Sequence, residues 1–270
     1  MRRAVYREVR GTAESTVESP ASRAPSADGA DGRHLMTISS AFADAVESAG
    51  HRPEIAGEHF FPARLAWAAA HLLDADGAGL SLSSDVSLRA PLGSSDPASS
   101  AAERLQFTTG EGPCLDAFAL QATIPADAAA LATRWPVFAG EMLTRTPFRS
   151  ILALPLPRLG ALDVYFVDPQ GCHRVDDQLA AAVIAEVLAA LVGREFVAAV
   201  SLDGGRRRQS EQRRRDQVPI AMGMASVTLG VTFLDALALL RSRAFVDGRS
   251  LDDLAADMVA GSLSIASLRA

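Results

Sequence analysis

The chain has 270 residues, 49% of them hydrophobic, with a formal net charge of −6 and a mean hydropathy of +0.14. These values fit one or two globular domains with a sizeable core, and no stretch is apolar for long enough to cross a bilayer. The N-terminal residues lack the apolar segment of a secretory signal. The two cysteines, Cys114 and Cys172, have no CxxC spacing, which argues for a reducing compartment and against a disulfide scaffold. The expected location is the cytoplasm.

All 26 basic residues are arginine, a bias that covers the whole chain and reads as coding bias rather than selection for phosphate contacts. The charge is uneven. Residues 206–270 hold ten arginines against seven acids, a balance of +3, which leaves −9 for the remainder. Such asymmetry fits a basic appendage that meets a polyanion, or a solvated linker.

Residues 1–34 are rich in Ala, Ser, Gly, Asp and Arg and are expected to form a disordered tail. Ile38, Phe42, Ala45, Val46 and Ala49 then recur at helical spacing over 36–49. A second helix is expected over about 62–73. Residues 78–92 alternate weakly, as in a hairpin turning at Ser84-Asp85. A short helical stretch at 101–106 leads into a Gly-rich string at 110–114. A strand at 122–125 and helical cues over 128–143, broken at Arg134-Trp135-Pro136, come next. Two apolar strands, 150–156 and 160–167, are joined tightly through Pro157-Arg158-Leu159. A helix over 177–200 is apolar on more than one face, so two sides of it should be covered. A homodimer with Val183, Val187 and Leu191 at its seam is the expected way to cover the second. Antiparallel strands with helices before and after predict an α+β sensor-like domain over 36–200.

Residues 201–216 form an Arg-rich linker. The helix stops and starts that follow are legible almost letter by letter. Gly230, Gly248 and Gly261 each end an apolar run. Thr232 with Asp235, and Ser250 with Asp253, have the spacing of a capping box. Three short helices over 217–263 are therefore expected, too small to form a large core alone. Leu251, Leu254, Ala255 and Met258 should face inward, as should Phe233, Leu237, Leu240 and Ala244. On the first helix Ile220, Met224 and Val227 lie on one side and Met222, Ala225 and Leu229 on the other.

The strings Gly110-Glu111-Gly112-Pro113-Cys114-Leu115-Asp116-Ala117, Arg134-Trp135-Pro136-Val137-Phe138 and Ser150-Ile151-Leu152-Ala153-Leu154-Pro155-Leu156 resemble the GAF domains of actinobacterial regulators. Ala221-Met222-Gly223-Met224, Leu229-Gly230-Val231, Ala236-Leu237-Ala238-Leu239-Leu240-Arg241, Ala244 and Gly248-Arg249-Ser250-Leu251 resemble an ANTAR module. The resemblance spans about 36–263. It implies an antiparallel sheet flanked by helices, followed by a three-helix module that binds paired RNA hairpins and prevents transcription termination. There are departures. Such modules usually carry Gln before, and Lys or Thr after, the first alanine, where this chain has Ile220 and Met222. Pro219 stands where many relatives continue a helix from upstream.

The candidate RNA contacts are Ala221, Met222 and Gly223, on a helix side whose small residues permit close approach of an RNA backbone or another helix, and Arg241, Arg243 and Arg249. A guanidinium suits such contacts chemically, because its planar fork matches phosphate and stacks on unpaired bases. Surface pairing with Asp247 and Asp252 is the plainer role for these arginines. In the GAF-like domain Glu111, Cys114, Phe138 and Tyr165 are candidates for lining a ligand pocket. The plainer role of Cys114 is a small buried hydrophobe, and that of Glu111 a cap or brace of the turn. The five histidines have no metal-ligand spacing, and no catalytic constellation or phosphate-binding glycine pattern stands out. No enzyme activity, metal or cofactor is expected. The expected function is RNA-binding antitermination under control of a ligand or partner, with interaction between proteins as the alternative for the helical module.

Overall fold

The computed structural model describes residues 28–56, 60–85, 88–200 and 217–269. The Arg-rich linker and most of the expected tail lie outside these. Residues 28–34, also expected in the tail, are helical: α1 runs Asp28–Ala49.

A five-stranded antiparallel sheet organises the first part, in the order β2-β1-β5-β4-β3. Its strands are β1 Gly77–Asp85, β2 Leu88–Ser94, β3 Ile124–Ala126, β4 Ser150–Leu156 and β5 Gly160–Phe166. β1 pairs with β2 through Asp85↔Leu88, so Ser84 and Asp85, expected in the turn, belong to the strand. The β4–β5 link needs Gly160. Its φ is +158°, and a Cβ there would sit 1.9 Å from the Ser81 carbonyl oxygen.

Both faces of β4 and β5 are covered, so the two strands are apolar throughout except for Ser150 and Asp163. Leu152, Leu154, Leu156, Leu162, Val164 and Phe166 point to a core shared with α1, α2 (Phe61–Leu72) and the long C-terminal helix of this domain. Ile151, Ala153 and Tyr165 point the other way, into a core with Trp135, Phe138 and Met142. That second layer consists of α3 Pro97–Thr109, α4 Pro113–Leu120, α5 Ala128–Arg134 and α6 Pro136–Arg145. α4 falls where the sequence reads only as a glycine-rich loop motif.

The long helix α7 is Asp177–Val200. Val183 and Val187 are fully buried on their own domain, and Leu191 packs against the same core. Val183 and Val187, expected at a seam between two copies, are thus in the core of one chain, and Leu191 lies partly buried beside them. α1 covers the second side, with Phe42 and Ala45 in the shared core and Ser39 donating to Glu186 Oε1.

The C-terminal part is all helical: α8 Gln217–Leu229, α9 Phe233–Val246 and α10 Leu251–Val259, followed by a 3-10 turn Ile265–Arg269. Among the described residues no single helix is long and apolar enough to cross a membrane. The pair α8 and α9, apolar enough together, is bent by 107°.

Candidate functional site

The segment 110–116 is tied to α5 and α6. Gly110 caps α3 in the left-handed region, with φ +72°. Glu111 Oε1 then accepts from the Phe138 backbone N–H at 2.8 Å, satisfying an orphan donor in the first turn of α6. Asp116 pairs with Arg134 at 2.8 Å, and that guanidinium lies 4.3 Å from the Trp135 ring centre. Glu111 therefore braces the turn.

Beneath this loop lies a buried polar cluster. Tyr165 Oη donates to Glu103 Oε1 at 2.7 Å, and Gln106 Nε2 donates to Asp163 Oδ2 at 2.6 Å and to Tyr165 Oη at 3.2 Å. The Cys114 backbone N–H donates to Gln106 Oε1 at 3.2 Å. All five residues are buried. Burial and the neighbouring carboxyls of Glu103 and Asp163 push the Tyr165 phenol well above its ordinary value. Of the four candidate pocket residues, Cys114 and Tyr165 meet through Gln106, and Phe138 is reached through Glu111. Cys114, Phe138 and Tyr165 are wholly buried, and Phe148 stacks on Tyr165 with ring centres 4.8 Å apart.

The helical module is built as its caps dictate. Thr232 Oγ1 accepts from the Asp235 N–H at 3.1 Å and donates to its carboxylate at 2.7 Å; Ser250 and Asp253 repeat both contacts at the same distances. Leu251, Leu254, Ala255 and Met258 are buried as expected, as are Leu237, Leu240 and Ala244. Phe233 is not: it stays 39% exposed, and Ala236 takes the inner position. On α8 the buried side carries Val218, Ala221, Met222 and Ala225, leaving Ile220 and Val227 exposed. Ala221 and Met222, two expected RNA contacts, are thus in the core of the module. Gly223 is half-buried with open space around its Cα.

This small core is completed by the first domain. Phe107 of α3 belongs to the hydrophobic cluster of the module and is 6% exposed. Arg241 Nε donates to the Phe107 carbonyl oxygen at 3.1 Å, with its guanidinium 5.9 Å from the Phe107 ring centre. The same guanidinium packs on Gly110, where an added Cβ would lie 2.9 Å from it. The Leu251 N–H donates to Thr108 Oγ1 at 3.2 Å. Burial lowers the Arg241 pKa from its ordinary value, yet an arginine stays charged at neutral pH.

The other two arginines are also engaged. Arg243 Nε donates to Asp247 at 2.8 Å and its Nη1 to the Ser267 carbonyl at 3.0 Å. Arg249 pairs with Asp257 at 2.5 Å; that contact raises the arginine and lowers the carboxyl. The structure thus brings Arg241 to the domain joint and Arg249 to its rim, with Arg243 on the far shoulder of α9. Sequence reasoning missed Phe107, Thr108 and Arg104. The available signal was Phe107 itself, a large apolar residue immediately after Gln106 on a helix that already turns Leu105 and Gln106 to its own domain.

Two cavities lie at this joint. One, of about 130 Å³, is lined in part by Arg104, Arg145, Arg249, Thr108 and Phe245. The other, of about 1180 Å³, runs from Arg52 and Phe60 to Asp252, Asp253 and Asp257. Among the described residues no group of three His, Cys, Asp or Glu is placed to hold a metal ion. Comparison with known protein families, with curated proteins and with solved structures finds no match to this chain.

Proposed function

We propose that the chain is a GAF–ANTAR-type regulator: a sensor domain joined to a three-helix module that binds paired RNA hairpins and prevents transcription termination. The observation that carries this reading is the docking of the module on α3. Arg241, a candidate phosphate contact, is held by Phe107 and Gly110, next to the Gly110–Cys114 string that marks the likeness to a sensor domain. A signal acting on that loop has a direct mechanical route to Arg241. The described arrangement is then the silent one, and RNA engages when the module leaves α3 and frees Arg241. In that state Arg243 and Arg249 exchange their internal acids for phosphates, a swap of one charge-assisted hydrogen bond for another.

A second reading has its own support. Ala221 and Met222 are buried, while Ile220 and Val227 are 48% and 86% exposed on the same helix. An apolar strip of that kind suits a protein partner better than a phosphate backbone. The two are separated by sequencing the RNA that co-purifies with the tagged chain from its own host. Enrichment of paired hairpins upstream of terminators supports antitermination; recovery of bulk RNA alone favours the protein-interaction reading.

A further inference from the structure

The smaller cavity at the joint has an unusual charge. Arg104 of α3, Arg145 of α6 and Arg249 of the α9–α10 turn all line it, against one carboxylate, Glu141. Glu141 is paired with Arg145 at 2.8 Å, and Arg249 is held by Asp257 at 2.5 Å. Arg104 has no hydrogen-bond or ion-pair partner among the described residues. With Arg145 and Arg249 each already holding a carboxylate, Arg104 leaves the lining one net positive charge, and an anion that Arg104 grips alone can share its other oxygens with the two paired guanidinium groups. The neighbouring larger cleft shares Arg104 and Arg249 but sets them, with Arg52, against five acids, so an anion meets less repulsion on the side of the smaller cavity, where Arg145 joins them.

Size and lining narrow the class. A volume of about 130 Å³ exceeds what one water needs roughly tenfold, enough for a phosphate and the start of whatever carries it. Thr108 Oγ1 already accepts from Leu251 N–H, which leaves its own O–H to donate. Phe245, 47% exposed, forms an apolar wall beside the arginines.

We propose that this cavity binds a small phosphate-bearing anion through Arg104, Arg145 and Arg249. Two of these arginines come from the sheet-bearing domain and one from the helical module. A ligand that needs both binds the docked arrangement more tightly than the undocked one, and so clamps the module shut. The binding itself is independent of the RNA reading; only its consequence, weaker RNA binding in the presence of the anion, rests on it.

The test is calorimetric titration of the full chain with inorganic phosphate, and in a second arm with adenosine monophosphate, each against chloride at matched ionic strength. Saturable binding of phosphate or of the ester is expected. Arg104→Gln should weaken it about tenfold or more, the scale of one lost charge-assisted hydrogen bond. Phe245→Ala should weaken the ester and spare inorganic phosphate if the carrier rests on that ring; equal affinity in both arms assigns the cavity to the phosphate group alone. Circular dichroism checks that the variants are folded, and Arg145→Gln serves as the second variant. The proposal is overturned if neither anion binds above the chloride control at millimolar concentration, or if neither arginine variant changes the affinity. No RNA is present, so this outcome and the outcome of hairpin binding are independent.

Discussion

Arg241 Nε donates to the backbone carbonyl of Phe107 at 3.1 Å while its guanidinium lies 5.9 Å from the centre of the same residue's ring. One side chain thus uses both its hydrogen-bonding edge and its cationic face on a single residue, 134 positions away in sequence. The helical module has a core of its own, from Val218 on α8 to Met258 on α10, and gains Phe107 as one further member.

Removal of this contact should therefore be felt in stability. Arg241→Ala is expected to cost about 1–3 kcal/mol, combining a lost charge-assisted hydrogen bond and a cation–π contact. Arg243→Ala, which loses a part-exposed pair with the cap residue Asp247 and one bond to the Ser267 carbonyl, should cost about 1 kcal/mol. Urea unfolding of the full chain followed by circular dichroism gives both values. Equal costs would speak against Arg241 as the fastening of the joint.

The helix caps of the module predict a matched pair of effects. Thr232→Ala and Ser250→Ala each remove an acceptor from a helix-start N–H and should each cost about 1 kcal/mol. Ser250 caps α10 beside the joint, so hydrogen exchange at Leu251 should also rise in Ser250→Ala but not in Thr232→Ala. Uniform exchange in the two variants would contradict this.

Tyr165 links pH to stability. Its buried phenol has a pKa raised above 10.0, so it stays neutral in the folded chain where the unfolded chain would ionise. Its contribution is complete below about pH 10 and falls as pH rises through the interval up to the folded value. Tyr165→Phe should flatten that alkaline decline. It should also lower stability at neutral pH by about 1–3 kcal/mol, because Glu103 and Gln106 lose their hydroxyl partner. Urea midpoints of both chains across neutral and alkaline pH decide the point.

α7 makes a prediction about assembly. Val187→Asp places a charge in a fully buried site and should unfold or aggregate the chain rather than release a monomer. Val192→Glu, at a position 59% exposed, should change stability by no more than about 0.5 kcal/mol. Light scattering and circular dichroism on the two variants report this; a soluble, folded Val187→Asp monomer would show that the helix uses that face elsewhere.

Much of this fold was legible because local rules decide it. Gly230, Gly248 and Gly261 stop their helices at positive φ, as their runs foretold, and Asp177 opens α7 at the expected residue. The two-sided apolar pattern of β4 correctly signals a covered strand. What periodicity could not say is which element does the covering. The second side of α7 calls for a cover, and only the fold shows α1 packed against it. α4 was missed because its Gly-Pro start and eight-residue length leave too short a period to read. The joint was illegible for a deeper reason. Arg241 and Phe107 are both ordinary residues in their own helices, and only tertiary packing joins them.

The most direct measurement is the affinity of a paired-hairpin RNA for the full chain and for Phe107→Ala, with Thr108→Val as a milder variant of the same joint. An unstructured RNA of equal length, at physiological salt, serves as the reference. If the docked module is the silent state, loosening the joint raises the competent fraction, and the variants should bind the hairpin more tightly than wild type, by about tenfold or more for Phe107→Ala. Arg243→Ala in the Phe107→Ala background should then lower the salt slope by about one contact. If all three chains bind hairpin and unstructured RNA alike, the antiterminator account is contradicted, and the module is an interaction surface for protein.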